Sequence, residues 1–160
     1  MQCLNAMLQM NKKVYDTCLG KLNRYAKSKG LTIYYSDTFA YLPQERIILL
    51  NKKDKGTITL LLYYLHELGH AIQNDSYFHK LKRKSINVKR SIILEQEYTA
   101  WVNGTHIAMH LNIFHLFNEE YLKEWVSAWS EYTEWIHKAN QQQVNSMYTS
   151  YIAEGRPPIG

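Results

Sequence analysis

Cysteine is nearly missing from this chain: Cys3 and Cys18 are the only two in 160 residues. That excludes a disulfide framework and leaves too few thiolates for a Cys-rich zinc finger. Any metal chemistry must therefore come from histidine and carboxylates. Long hydrophobic runs are lacking too, since no stretch approaches the roughly 18 to 20 apolar residues that span a bilayer. The first residues lack a basic segment followed by an unbroken apolar run, so no signal peptide is read there, and a reduced, cytoplasmic location is the expectation. No internal repeat is visible. Strong charge of one sign is also absent: a formal charge of +5 and a pI near 9.1 make the surface basic without being extreme, which mildly favours acidic partners.

What is present suits one globular domain, read as residues 1–139 followed by a loosely packed C-terminal tail over 140–160. Hydrophobic residues at 46% and charged residues at 21% are ordinary for such a domain. The aromatic share, 13% with 13 Tyr and 4 Trp, is high. Aromatic side chains of this kind serve a helical core or a groove that grips an extended peptide, and counting alone does not choose between them.

The stretch with the most chemical content is His66-Glu67-Leu68-Gly69-His70. Histidines four residues apart lie on one face of a helix, one above the other, so both imidazoles reach a single metal ion. Glu67 projects from the neighbouring part of that face, where a carboxylate reaches a metal-bound water without becoming a ligand. That is the arrangement of a zinc hydrolase. The helical setting is supplied by Thr57 as N-cap and by an apolar run from Ile58 to Leu65, with an end expected near Asp75. Gly69 costs helix stability, about 1 kcal/mol against Ala, so a close neighbour is expected there.

Around this helix the chain reads as α+β, mainly helical with a small sheet packed beside the histidine-bearing helix. Residues 3–28 form a helix with Val14, Cys18, Leu22, Tyr25 and Ala26 on one face and Gly30 just past its end. Residues 31–36 and 46–51 read as strands, and the segment between them, with Pro43, as a loop or irregular strand away from the sheet centre. If the strand over 46–51 is a sheet edge beside the cleft, a substrate can add to it as a further strand. From Tyr77 to Arg90 the chain carries Lys80, Lys82, Arg83, Lys84, Lys89 and Arg90 with no acid. This run reads as a solvated loop, with a nucleic-acid patch as the competing interpretation. A helix over residues 87–114 follows, with Ile93, Glu97, Trp101, Gly104, Ala108 and Leu111 along one stripe. Asn118 then caps another, whose core stripe is read as Leu122, Trp125, Val126, Trp129, Tyr132 and Ile136.

Two histidines are an incomplete site, because zinc needs at least three protein ligands. Glu97 is the leading third ligand. If the two helices are antiparallel about a turn, it lies about 12 Å from that turn, level with the histidine pair on the opposite arm. Glu95 is the rival, about 200° around the helix from Glu97, so both cannot face one ion. His106, His110, His115 and His137 read as packing or solvent-facing residues, and nothing places His79 near the site.

The residues 14–115 resemble the HExxH metallopeptidases whose third ligand is a Glu on the following helix, the gluzincins, and among them the ImmA/IrrE-like family of phages and mobile elements. The resemblance rests on the N-terminal helix, the small sheet, the Thr-led helix ending in His66-Glu67-Leu68-Gly69-His70, and Glu97-Tyr98-Thr99-Ala100, which is similar to that family's E-x-x-A signature. It implies a zincin-like domain, Zn2+ on His66, His70 and Glu97, Glu67 as general base, and cleavage of a specific protein substrate, often a transcriptional regulator. One position departs from the gluzincin pattern: where an Asp or Asn orients a zinc histidine, four residues after the ligand Glu, this chain has Trp101. Its second shell must differ. Tyr63, Tyr64, Tyr77 and Tyr98 are candidates for stabilising an oxyanion. The competing readings are a DNA-associated SprT-like protease, a zinc-stabilised binding module without activity, and a small-molecule amidase.

Overall fold

The structure, a computed structural model, describes residues 10–73 and 85–149. They form an α+β fold, mostly helical, with one three-stranded sheet. Helix α1 (Lys12–Ser28) is capped at its start by the Asn11 side chain, which accepts from the Lys13 N–H. It buries Tyr15, Cys18, Leu22 and Ala26, close to the face read from its periodicity. Its end is a Schellman turn: Gly30, at φ +71°, sends its N–H to the Lys27 carbonyl while the Leu31 N–H returns to that of Ala26. The chain is thereby turned into the sheet.

The sheet comprises β1 (Thr32–Ser36), β2 (Ala40–Leu42) and β3 (Ile47–Asn51), in the order β1-β3-β2. Strand β3 pairs in parallel with β1 and antiparallel with β2. The condition that the last strand is an edge is therefore not met: β3 is central, and the edge on its far side is β2, within the segment that Pro43 argued away from the middle. The reason lies in burial. Ile48 and Leu50 point into the core from β3, and a strand that supplies core residues is best protected with a partner on each side.

Helix α2 (Ile58–Ala71) begins at Thr57, whose hydroxyl accepts from the Leu60 N–H at 3.4 Å. Nearly every residue in it is buried, since α2 runs between the sheet, α1 and the next helix. It ends at Ala71, earlier than the expected Asp75, with the Ile72 and Gln73 N–H groups turned back on Leu68 and His70. Helix α3 (Ile86–His110), capped by Ser85, packs along α2 more extensively than any other pair of elements. Ile93, Glu97, Trp101, Gly104 and Ala108 are buried, as its stripe predicts.

Helix α4 (Asn118–Lys138) departs from expectation. Asn118 is its first residue and does not cap it; Phe117 stands at the cap without a side-chain bond. Leu122 and Val126, read as core, are exposed, at 46% and 67%. The inward face runs through Tyr121, Trp125, Ala128 and Tyr132 to Ile136, so Trp125, Tyr132 and Ile136 of the predicted stripe do face inward, while its Leu122 and Val126 edge gives way to Tyr121 and Ala128. Helix α5 (Gln141–Tyr148), in the segment read as a loose tail, is closed by a capping box between Asn140 and Gln143 and buries Val144 against Ile93 and Ile136. Of the basic run, Lys80, Lys82, Arg83 and Lys84 lie outside the described residues. Lys89 and Arg90 tie helices together: Lys89 donates to Asn145 and Arg90 to the carbonyls of Ile136 and Ala139. No helix among the described residues is long and apolar enough to cross a membrane.

Candidate metal centre

The site follows from how closely α2 and α3 approach. A Cβ on Gly69 would collide with the carbonyl oxygen of Ala100, and one on Gly104 would meet the Tyr121 hydroxyl and stand 3.0 Å from the Leu65 carbonyl oxygen. Glycine at both positions lets the backbones touch. The Asn103 side-chain amide then donates to the Gly69 carbonyl at 3.1 Å, fixing the helices in register. Ala100 is about one helical turn beyond Glu97, and Gly69 lies between the two histidines, so this register sets Glu97 opposite His66 and His70.

The three side chains meet. His66 Nε2 lies 3.2 Å from Glu97 Oε2, His70 Nε2 lies 3.2 Å from Glu97 Oε1, and the two Nε2 atoms are 3.1 Å apart. All three residues are buried. Burial works against a charge on Glu97, yet the ring nitrogens of His70 and His66 more than offset it and hold the carboxyl well below the usual carboxylate range. Glu95 is only half-buried and is not among the grouped ligand atoms.

These residues fit a zinc ion. Bonds of about 2.0–2.1 Å in a tetrahedron place ligand atoms about 3.3 Å apart, close to the separations here. The protonation pattern agrees. Gln73 donates its amide to the Gln96 carbonyl, which leaves its own oxygen 3.3 Å from His70 Nδ1. In a neutral ring Nδ1 then carries the proton, and Nε2 turns a lone pair towards the Glu97 carboxylate. In that neutral form Nε2 would be free to ligate a cation, which would then take the place of the ring protons in holding the Glu97 carboxylate charged.

With Trp in place of an acid at position 101, the two imidazoles are held in two different ways. His70 is oriented by Gln73, which is anchored on the carbonyl of the residue preceding Glu97. His66 is oriented by packing: its ring lies 4.3 Å from that of Trp101, tilted by 35°, with Tyr63 at its edge. Its Nδ1 is buried with no hydrogen-bond partner among the described residues. Gln73 is not singled out by the sequence reading, although a polar residue three positions after His70, just past an apolar helix, is a signal for it.

Glu67 is 7% exposed and lines the same cleft as His66, His70 and Glu97, a space of about 360 Å³ walled on the far side by β2 and Pro43. Met147 of α5 also lines it, which no sequence pattern announced. The tyrosines named for an oxyanion are engaged elsewhere. Tyr63 donates to Glu124 at 2.6 Å, and burial together with that carboxylate pushes its hydroxyl well above the usual range. Tyr64 donates to Asn23, and Tyr98 packs on Trp125 and Trp129. Tyr77 lies outside the described residues, as does His79. Tyr41, overlooked in the sequence, is the tyrosine that lines the cleft. His106, His110, His115 and His137 are exposed.

No protein-family model matches the chain, and no curated protein or solved structure matches it.

Proposed function

We propose that this chain is a zinc-dependent metalloendopeptidase that cleaves a protein substrate. The reading is carried by one observation: two imidazoles and a carboxylate from adjacent helices converge at zinc-ligand spacing, beside a buried glutamate that shares their cleft. A zinc ion held by His66, His70 and Glu97 would polarise a peptide carbonyl and lower the pKa of a water towards 7.

The chain's own residues supply the rest. Glu67 takes a proton from the attacking water and delivers it to the leaving amine. Gln73 and Trp101 hold the two imidazoles in position, and β2, at the sheet edge, forms a wall along which an extended peptide lies as it passes the ligands. A transcriptional regulator as substrate follows from the family resemblance alone. The DNA-associated alternative gains nothing from Lys89 and Arg90, whose side chains serve helix packing.

The test is a pair of substitutions on zinc-loaded protein, with cleavage of a proteome-derived peptide library read by mass spectrometry. Glu67→Gln keeps the zinc and loses cleavage; Glu97→Ala loses the zinc. A protein that binds zinc stably and cleaves nothing is the zinc-stabilised binding module instead.

A further inference from the structure

A second cavity, of about 410 Å³, also reaches the ligand residues. It shares His66 and Glu97 with the metal cleft, and Met147 stands in the walls of both. Its remaining surface is mainly aromatic: Tyr63 from α2, Trp101 from α3, and Trp129, Tyr132 and Trp135 from α4, with Ala128 leaving room between them. The α4 and α5 walls lie beyond the residues that carry the family resemblance, so the C-terminal helices supply the part of the lining that is this chain's own. The rings surround a volume in the range of ligand pockets.

We infer that this cavity is a specificity pocket that receives an aromatic side chain of the substrate, from a residue flanking the bond held at the metal. The inference rests on the metallopeptidase reading. The shared lining names the occupant: a group bound at His66 and Glu97 lies against a wall of this cavity as well as of the metal cleft. The lining chooses its chemistry. Ring edges and faces pair favourably with another ring, whereas the carboxylates of Glu97 and Glu131 in the same lining oppose an acidic side chain.

The test needs no turnover. Three hydroxamates that chelate zinc identically and differ only in the branch beside the chelating group, benzyl, hydrogen or carboxymethyl, are titrated into the zinc-loaded protein by calorimetry. The benzyl probe should bind about tenfold or more tighter than the hydrogen probe, and the carboxymethyl probe weaker than either. Ala128→Phe, which fills the cavity, and Trp129→Ala, which strips a wall, should each bring the benzyl-to-hydrogen ratio towards one. The hydrogen probe reports in each variant that the metal site has formed. Equal binding of benzyl and hydrogen probes, or a ratio unchanged in both variants, overturns the pocket and leaves the metal reading standing. A protein that binds no zinc, or zinc-loaded protein that binds none of the probes, overturns both together.

Discussion

The crossing of α2 with α3 and the packing of α4 are both helix contacts, yet they are built on opposite plans. At the first, two glycines remove side chains from the interface, and the backbones meet through Gly69 with Ala100 and Gly104 with Leu65. At the second, large rings stand between the helices: Trp101 stacks on Trp125, and Tyr121 packs at their edges while donating its hydroxyl to the Trp101 carbonyl. The close crossing brings the Glu97 carboxylate within 3.2 Å of both imidazoles. The ring-filled contact leaves a cavity between the helices.

Trp101 belongs to both regions, so its loss should have the largest effect. Trp101→Ala removes a fully buried indole from beside His66 and should lower stability by about 3–5 kcal/mol, read by chemical denaturation; zinc affinity should fall with it. A loss under about 1 kcal/mol would mean that the two regions do not share this residue as a wedge.

Gly69→Ala tests the close crossing by sign. Helix propensity alone favours Ala by about 1 kcal/mol, whereas a methyl against a backbone carbonyl has no rotamer that relieves it. The collision should win, with a net loss of about 2 kcal/mol and weaker zinc binding as Glu97 is pushed away. A rise in melting temperature would show that the helices are not in backbone contact.

Gln73→Leu removes the orienting partner of His70 without touching a ligand. Zinc affinity should fall about 10–100-fold, measured by competition with a chromophoric chelator, while Gln73→Glu, which keeps an acceptor at His70 Nδ1, should recover much of it. The smallest effect is expected on the outer face of α4. Leu122→Gln and Val126→Ser should each change stability by no more than about 0.5 kcal/mol, a result that would be impossible if they were core.

The same contrast explains what was legible in the sequence. The convergence of His66, His70 and Glu97 was readable because i, i+4 spacing puts two side chains on one helix face, and because antiparallel helices of known rise translate sequence distance into position. Gly69 signalled a close neighbour through its cost. On α4, apolar or aromatic residues occur at 121, 122, 125, 126, 128, 129, 132, 135 and 136, so the apolar arc is wide and periodicity alone does not say which edge faces inward. The burial of Tyr121 selects one edge, through a hydrogen bond to Trp101 that no pattern on α4 records. The central place of β3 depended on where β2 paired, and the role of Met147 on a helix whose capping box, Asn140 with Gln143, lay unread in a polar stretch.

The central claim is that one divalent ion is bound by His66, His70 and Glu97 together. A zinc-edge anomalous map from crystals of zinc-loaded protein tests it directly. The account predicts a single peak, about 2.0–2.2 Å from both Nε2 atoms and from a Glu97 carboxylate oxygen. A peak bound elsewhere, or no peak between these three side chains at saturating zinc, would contradict it.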